Sequence, residues 1–229
     1  MNSKDLKSFL KTIASEAVFV IDASISKSDY TSIDLSKENT MLNTFDISSS
    51  KAWETYITNY LEKQNKKVAF GGYLETRGIY NRSAYFNNQN PETERNIHLG
   101  LDLWVAAETS VLAAFNGEIH SFKDNTNFGD YGPTIILKHH LDGFEFYTLY
   151  GHLSRESLTS LKVGAKVKQG EIIAQLGKAE VNGDYAPHLH FQIIKDLQGN
   201  IGDYPGVCCL KDLEFYKENT VNPEVVLGL

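Results

Sequence analysis

From Val68 onward the chain is a succession of short runs rich in Val, Ile, Tyr and Phe, broken at glycine, and this pattern leaves no room for long helices. "TIILKHH" and "FEFYTLYGHL" flank "LDG", whose Asp142-Gly143 step is the signal of a tight hairpin. Further on, "LKVGAKVKQGEIIAQLGKAEV" sets Gly164, Gly170 and Gly177 between short alternating strands. Strands that follow one another without intervening helices predict an antiparallel β-sheet or a flattened barrel.

Residues 1–66 read differently. Leu6, Phe9, Leu10 and Ile13 repeat at helical spacing, as do Trp53, Tyr56, Ile57, Tyr60 and Leu61, with Ser50 as the expected N-cap. Between them "SISKSDYTSIDLSKENT" reads as loop. The expected organisation is a mainly β chain with an α-helical N-terminal region: a mostly helical segment over 1–66, a β domain over 67–200 and a C-terminal extension over 201–229. The last part, "EFYKENTVNPEVVLGL", reads as one short helix or an extended tail. The apolar stripe of the second helix must be buried, either as a cap on the sheet or as a cover over its groove.

Hydrophobic residues make up 41% of the 229, enough for one sizeable core. The net charge is -7 and no basic run exceeds Lys66-Lys67, which argues against nucleic acid and anionic membranes as partners. The two cysteines, Cys208 and Cys209, are adjacent, so neither a disulfide framework nor a cysteine zinc site is expected. Near the start, the longest apolar run is Ala17 to Ile21, ended by Asp22. A secretory signal needs roughly 7–15 apolar residues and a membrane span about 20. The expectation is a cytoplasmic chain without a span, although a chain trimmed of its signal, exported or in the cell envelope, would read the same. Nothing in the sequence fixes the oligomeric state.

"APHLHFQ" places His188 and His190 two positions apart. On a strand both imidazoles share one face, about 7 Å apart, while Leu189 and Phe191 take the other. Upstream, "RNIHLGLDLW" holds His98, Gly100 and Asp102. A straight strand would separate His98 from Asp102 by about 13 Å, too far to share an ion. Gly100 permits a bend and leaves no side chain in the way. Two histidines and a carboxylate suffice for a catalytic zinc with an open position for water. The HxH motif offers one histidine more than that set requires, and "LYGHLS" adds His152. A metal hydrolase uses such a surplus, because a base separate from the ligands must take the proton from water.

"HLGLD", "YGHLS" and "PHLHF", in that order, together with "VGAKVKQGEIIAQLG", resemble the M23 zinc metallopeptidases of the lysostaphin and LytM type, over roughly Gly72 to Lys195. The resemblance implies a LytM-like antiparallel fold with a substrate groove, and one zinc per chain bound by His98, Asp102 and His190. It implies His188 as general base and His152 as a helper that orients or stabilises the oxyanion. The implied activity is a zinc endopeptidase acting on peptides, in this family usually peptidoglycan stem or cross-bridge peptides. Its rate is expected to fall on acidification near pH 6.5, the ordinary histidine range.

Two other classes use related residue sets. A non-catalytic LytM-like module that binds or activates a cell-wall partner would usually lack part of this residue set. A non-haem Fe(II) oxygenase also uses two histidines and a carboxylate, but its carboxylate usually comes two positions after its first histidine, whereas here the spacing is four. Other residues have plainer readings. His120, His139 and His140 read as structural or solvent-facing. Arg95 is a candidate to contact substrate or orient Asp102, against the commoner case of an exposed arginine before a strand. Tyr80 and Tyr150 are candidates to line a groove, and Cys208 and Cys209 carry no assigned role.

Overall fold

The computed structural model describes residues 3–13, 18–83, 86, 90 and 92–229; Ala17, which opens the apolar run near the start, lies outside them. Both expected N-terminal helices form, α1 (Ser3–Ile13) and α2 (Ser50–Gln64). In α1, Leu6 and Leu10 are fully buried, and Phe9 stacks on Phe144 with ring centroids 4.3 Å apart. The N-cap of α2 is Ser49, one residue before the expected Ser50: its hydroxyl accepts from the Ala52 amide at 3.2 Å, satisfying an otherwise orphaned donor. Ser50 instead donates to Asp184 at 2.6 Å.

The polar stretch between these helices is not all loop. Within it β1 (Tyr30–Ser32) runs parallel to β2 (Val68–Gly71), a single parallel pair at the edge of an otherwise antiparallel sheet. Burial of Tyr30 and Ile33 drives this pairing across nearly forty intervening residues, and the polar neighbours hide it from a pattern reading.

The other strands are β3 (Ile97–His98), β4 (Leu101–Trp104), β5 (Ser110–Leu112), β6 (Gly117–Asn125), β7 (Gly132–Leu141), β8 (Phe144–Gly151), β9 (Lys166–Val167), β10 (Ile172–Gln175), β11 (His188–Ile194) and β12 (Val207–Cys208). The main sheet runs β1-β2-β4-β11-β8-β7-β6-β9, and its two ends are not paired with each other. The antiparallel expectation therefore holds, but as an open sheet, not a flattened barrel. Strands β5 and β10 form a small second sheet, and β3 and β12 a third. The β7–β8 hairpin turns at Asp142 and Gly143, whose φ values of 47° and 81° are what a two-residue Asp-Gly turn requires.

The C-terminal stretch is more structured than one helix or a tail. It forms α3 (Leu213–Asn219), β13 (Thr220–Val221) paired to β11, and α4 (Glu224–Leu227), which packs against α1. Val221, Val226 and Leu227 join Leu6, Leu10, Leu101, Leu103, Leu189, Phe191 and Ile193 in the main core. A second apolar cluster joins Leu35, Trp53 and Ile57 to Ile79, Tyr80, Phe86, Trp104 and Tyr185. Among the described residues, no helix is long and apolar enough to cross a membrane.

Candidate metal centre

Strand β11 builds the site by simple alternation. Leu189 and Phe191 go into the core, while His188 and His190 share the opposite face with Gln192. On one side, β4 pairs with it in a register that sets Asp102 opposite His190 and Trp104 opposite His188. His98 arrives from β3, which belongs to a different sheet, so the chain does bend between His98 and Asp102.

Gly100 serves this bend by its smallness. It is not among the glycines of positive φ, so special backbone freedom is not what the site uses. A Cβ there would lie 2.6 Å from both Cε1 and Nε2 of His190. Gly100→Ala is therefore expected to displace the His190 ring and weaken divalent-metal affinity by about 10–100-fold, the usual cost of disturbing a ligand's support. Competition titration against a chromophoric chelator checks this; wild-type affinity in a folded variant would contradict it.

Three donor atoms converge. His98 Nε2 lies 2.8 Å from His190 Nδ1 and 3.3 Å from Asp102 Oδ1, and His190 Nδ1 lies 3.2 Å from the same oxygen. Tetrahedral coordination with bonds of about 2.0–2.1 Å places ligand atoms about 3.3 Å apart, so one ion fits this donor set with small adjustments. The outer partners fix the tautomers as well. His98 Nδ1 faces the Gly72 carbonyl at 2.9 Å and must donate to it, leaving Nε2 bare. Gln192 Nε2 donates to the Pro205 carbonyl, which turns its Oε1 toward His190 Nε2 at 3.0 Å and leaves His190 Nδ1 bare. His98, Asp102 and His190 are the one group of this kind among the described residues.

The other two histidines stand beside the triplet. His188 Nε2 is 3.8 Å from Asp102 Oδ1, and its Nδ1 donates to the Ala186 carbonyl at 2.8 Å. His152 stacks obliquely on His188 with centroids 4.2 Å apart, and its Nδ1 donates to the Asn182 carbonyl at 2.8 Å. His152 has φ 63°, a left-handed conformation held by backbone hydrogen bonds to Tyr131 and Gly177. Both rings thus offer a bare Nε2. Burial pushes His188 and His98 down to about 4, and burial with the neighbouring His188 holds His152 well below the ordinary histidine value. Burial alone would raise Asp102, but His98 and Arg77 outweigh it and keep the carboxylate charged.

A cavity of about 400 Å³ opens onto these groups. Its walls include Tyr131, Tyr185 and Trp104 of the β part, Tyr80 and Phe86 of the β2–β3 connection, and Leu35 and Trp53 of the N-terminal segment. Trp53 stacks on Trp104 with centroids 6.4 Å apart, and Trp104 stacks on His188 at 4.0 Å. Helix α2 thus packs on the β part through Trp53 and Ile57, and Trp53 contributes to the cavity wall.

Arg95 lines the cavity but does not orient Asp102. Its Nε donates to the Val207 carbonyl and its guanidinium lies over Phe86. The residue on Asp102 Oδ2 is Arg77, which the sequence reading missed. Of the tyrosine candidates, Tyr80 lines the cavity and Tyr150 is buried in the core with its hydroxyl accepting from the Ala114 amide. His139 is a buried structural residue bonded to Asn116 and Thr148, His140 is an exposed partner of Glu145, and His120 meets Ser121 and Tyr147. Cys208 and Cys209 are free and buried at the cavity wall, and burial pushes the Cys208 thiol up to about 12.

Residues 96–201, just under half of the chain, match the model of peptidase family M23. Among solved structures it is similar to the catalytic domain of the antimicrobial peptidase lysostaphin from Staphylococcus simulans, with 29% identity over 53% of this chain and 80% of that one and a TM-score of 0.37. It is also similar to the catalytic domain of the prophage-encoded M23 protein EnpA from Enterococcus faecalis, with 21% identity over 59% of this chain and 83% of that one and a TM-score of 0.39. A third likeness is to LytU, with 23% identity over 59% of this chain and 86% of that one and a TM-score of 0.37. No curated protein sequence matches the chain.

Proposed function

We propose that this protein is a zinc-dependent endopeptidase that hydrolyses short peptides, with peptidoglycan stem or cross-bridge peptides as its substrate class. The observation that carries the reading is the convergence of His98 Nε2, Asp102 Oδ1 and His190 Nδ1 beside two further histidines that each present a bare Nε2. His98, Asp102 and His190 would hold the ion. Zinc bound there supplies Lewis acidity toward water and toward the scissile carbonyl.

The remaining chemistry belongs to the chain. His188 Nε2, the nearer base to Asp102, accepts the proton of the attacking water while its Nδ1 stays fixed on Ala186. His152 Nε2 carries no proton in the neutral ring, since Nδ1 is committed to Asn182. It therefore acts first as an acceptor that orients water or substrate, and donates toward the oxyanion only after taking up a proton. Burial keeps both rings in the neutral form these roles need.

The test combines elemental analysis with mass spectrometry of products after zinc-loaded protein is incubated with purified muropeptides and glycine-rich peptides. One zinc per chain and cleavage of peptide bonds are expected. Stoichiometric iron would favour the oxygenase reading, and zinc without cleavage of any peptide would favour the non-catalytic module.

A further inference from the structure

We infer that Arg77, held in turn by Glu75, is the positioning residue that makes Asp102 present a single oxygen to the metal; this rests on the metal reading of the site. Asp102 is 1% exposed and its two oxygens have separate tasks. Oδ1 lies at 3.3 and 3.2 Å from the bare nitrogens of His98 and His190, while Oδ2 accepts from Arg77 Nη1. With Oδ2 occupied by a guanidinium, the carboxylate cannot rotate to offer both oxygens without breaking a buried charged hydrogen bond.

Arg77 is itself fixed. Its Nε donates to Glu75 Oε2 at 2.6 Å, and its backbone amide donates to the Asn96 carbonyl at 2.9 Å. The guanidinium lies close against Gly72, where φ is +108° and a Cβ would fall 2.0 Å from Arg77 Nη2, so only glycine admits it. Glu75 Oε1 accepts from the Leu35 amide at 3.0 Å. A relay of three hydrogen bonds thus runs from the N-terminal segment, through Glu75 and Arg77, to the carboxylate. Glu75 and Arg77 both precede the stretch matched to family M23.

The charges give Glu75 its second task. Arg77 alone would neutralise Asp102 and weaken the site's pull on a cation. With Glu75 present, the formal charges of the Glu75–Arg77–Asp102 row sum to about −1, and the guanidinium orients Asp102 without cancelling it.

The experiment measures Zn²⁺ and Co²⁺ affinity, and the visible spectrum of the Co²⁺ form, for the full chain and for Arg77→Gln, Arg77→Lys and Glu75→Gln. Arg77→Gln should weaken metal affinity by about 10–100-fold and reduce the cobalt absorption as Oδ2 becomes free to join the coordination. Arg77→Lys should recover part of the affinity, since an ammonium can hold one oxygen but lacks the planar fork. Glu75→Gln keeps shape and an acceptor for Arg77 Nε, so the fold should persist while affinity falls about 10-fold. Should Arg77→Gln fail to fold, Glu75→Gln decides alone. A residue that merely supports the fold would lower the melting temperature of the metal-free protein and leave affinity and cobalt spectrum unchanged; that result overturns the inference. A wild type that takes up neither metal overturns the metal reading, and this inference with it.

Discussion

Replacing His190 by Ala should abolish metal binding and turnover together, whereas replacing His188 by Ala should leave the metal near one per chain and slow turnover by about 10²–10⁴-fold. The two residues share one face of β11, yet their surroundings divide them. His190 turns its bare Nδ1 to His98 and Asp102, at 2.8 and 3.2 Å. His188 keeps its Nε2 at 3.8 Å from the same carboxylate and packs its ring between Trp104 and His152. His152→Ala should resemble the His188 change, with metal retained and rate reduced. Metal analysis beside steady-state kinetics reads all three; zinc lost from His188→Ala but kept by His190→Ala would reverse the assignment. The acid limb also changes. A base must be neutral, and burial pushes His188 down to about 4, so the rate should persist well below pH 6.5 and fall only toward that lower value. Metal content measured at each pH separates protonation of the base from loss of the ion.

Deleting residues 1–66 should unfold the protein, not activate it. Leu6, Leu10, Val20 and Ile21 are fully buried or nearly so in the main core, β1 covers an edge of the sheet, and Trp53 and Ile57 pack in the cluster around Trp104. Truncating one buried leucine to alanine typically costs about 2–5 kcal/mol, against a total stability of about 5–15 kcal/mol for a domain. Leu10→Ala is accordingly expected to lower stability by about 2–5 kcal/mol in urea unfolding, and removal of the whole segment to leave insoluble or unfolded chain. A soluble truncation with a cooperative melt and faster peptide hydrolysis would show that the segment is a removable cover.

The five residues of the candidate site, whose side chains the structure brings together, were legible in the sequence because each motif is short and its chemistry is rare. His188 and His190 interrupt an apolar strand, and His98 and Asp102 flank a glycine whose missing side chain the His190 ring needs. Strands β7 and β8 were legible through alternation and a turn dipeptide. Arg77 and Glu75 were not. Charged residues are common on any surface, and nothing in "YLETRGIY" signals that two of them turn inward toward a residue 25 positions away. Arg95 stood nearer in sequence to the first motif, yet the guanidinium on Asp102 is that of Arg77, while Arg95 lines the cavity. Strand β1 escaped because three residues in a polar stretch acquire their identity only from a distant parallel partner.

The stack of Trp53 on Trp104 on His188 has an optical consequence. These are the chain's two tryptophans, and both lie within one aromatic column that reaches the proposed base. The intrinsic fluorescence of the protein is therefore not an average over scattered surface reporters. Protonation of His188, or a shift of its ring when an ion binds beside it, is expected to alter the surroundings of Trp104, so emission recorded without any label should report on the state of the site.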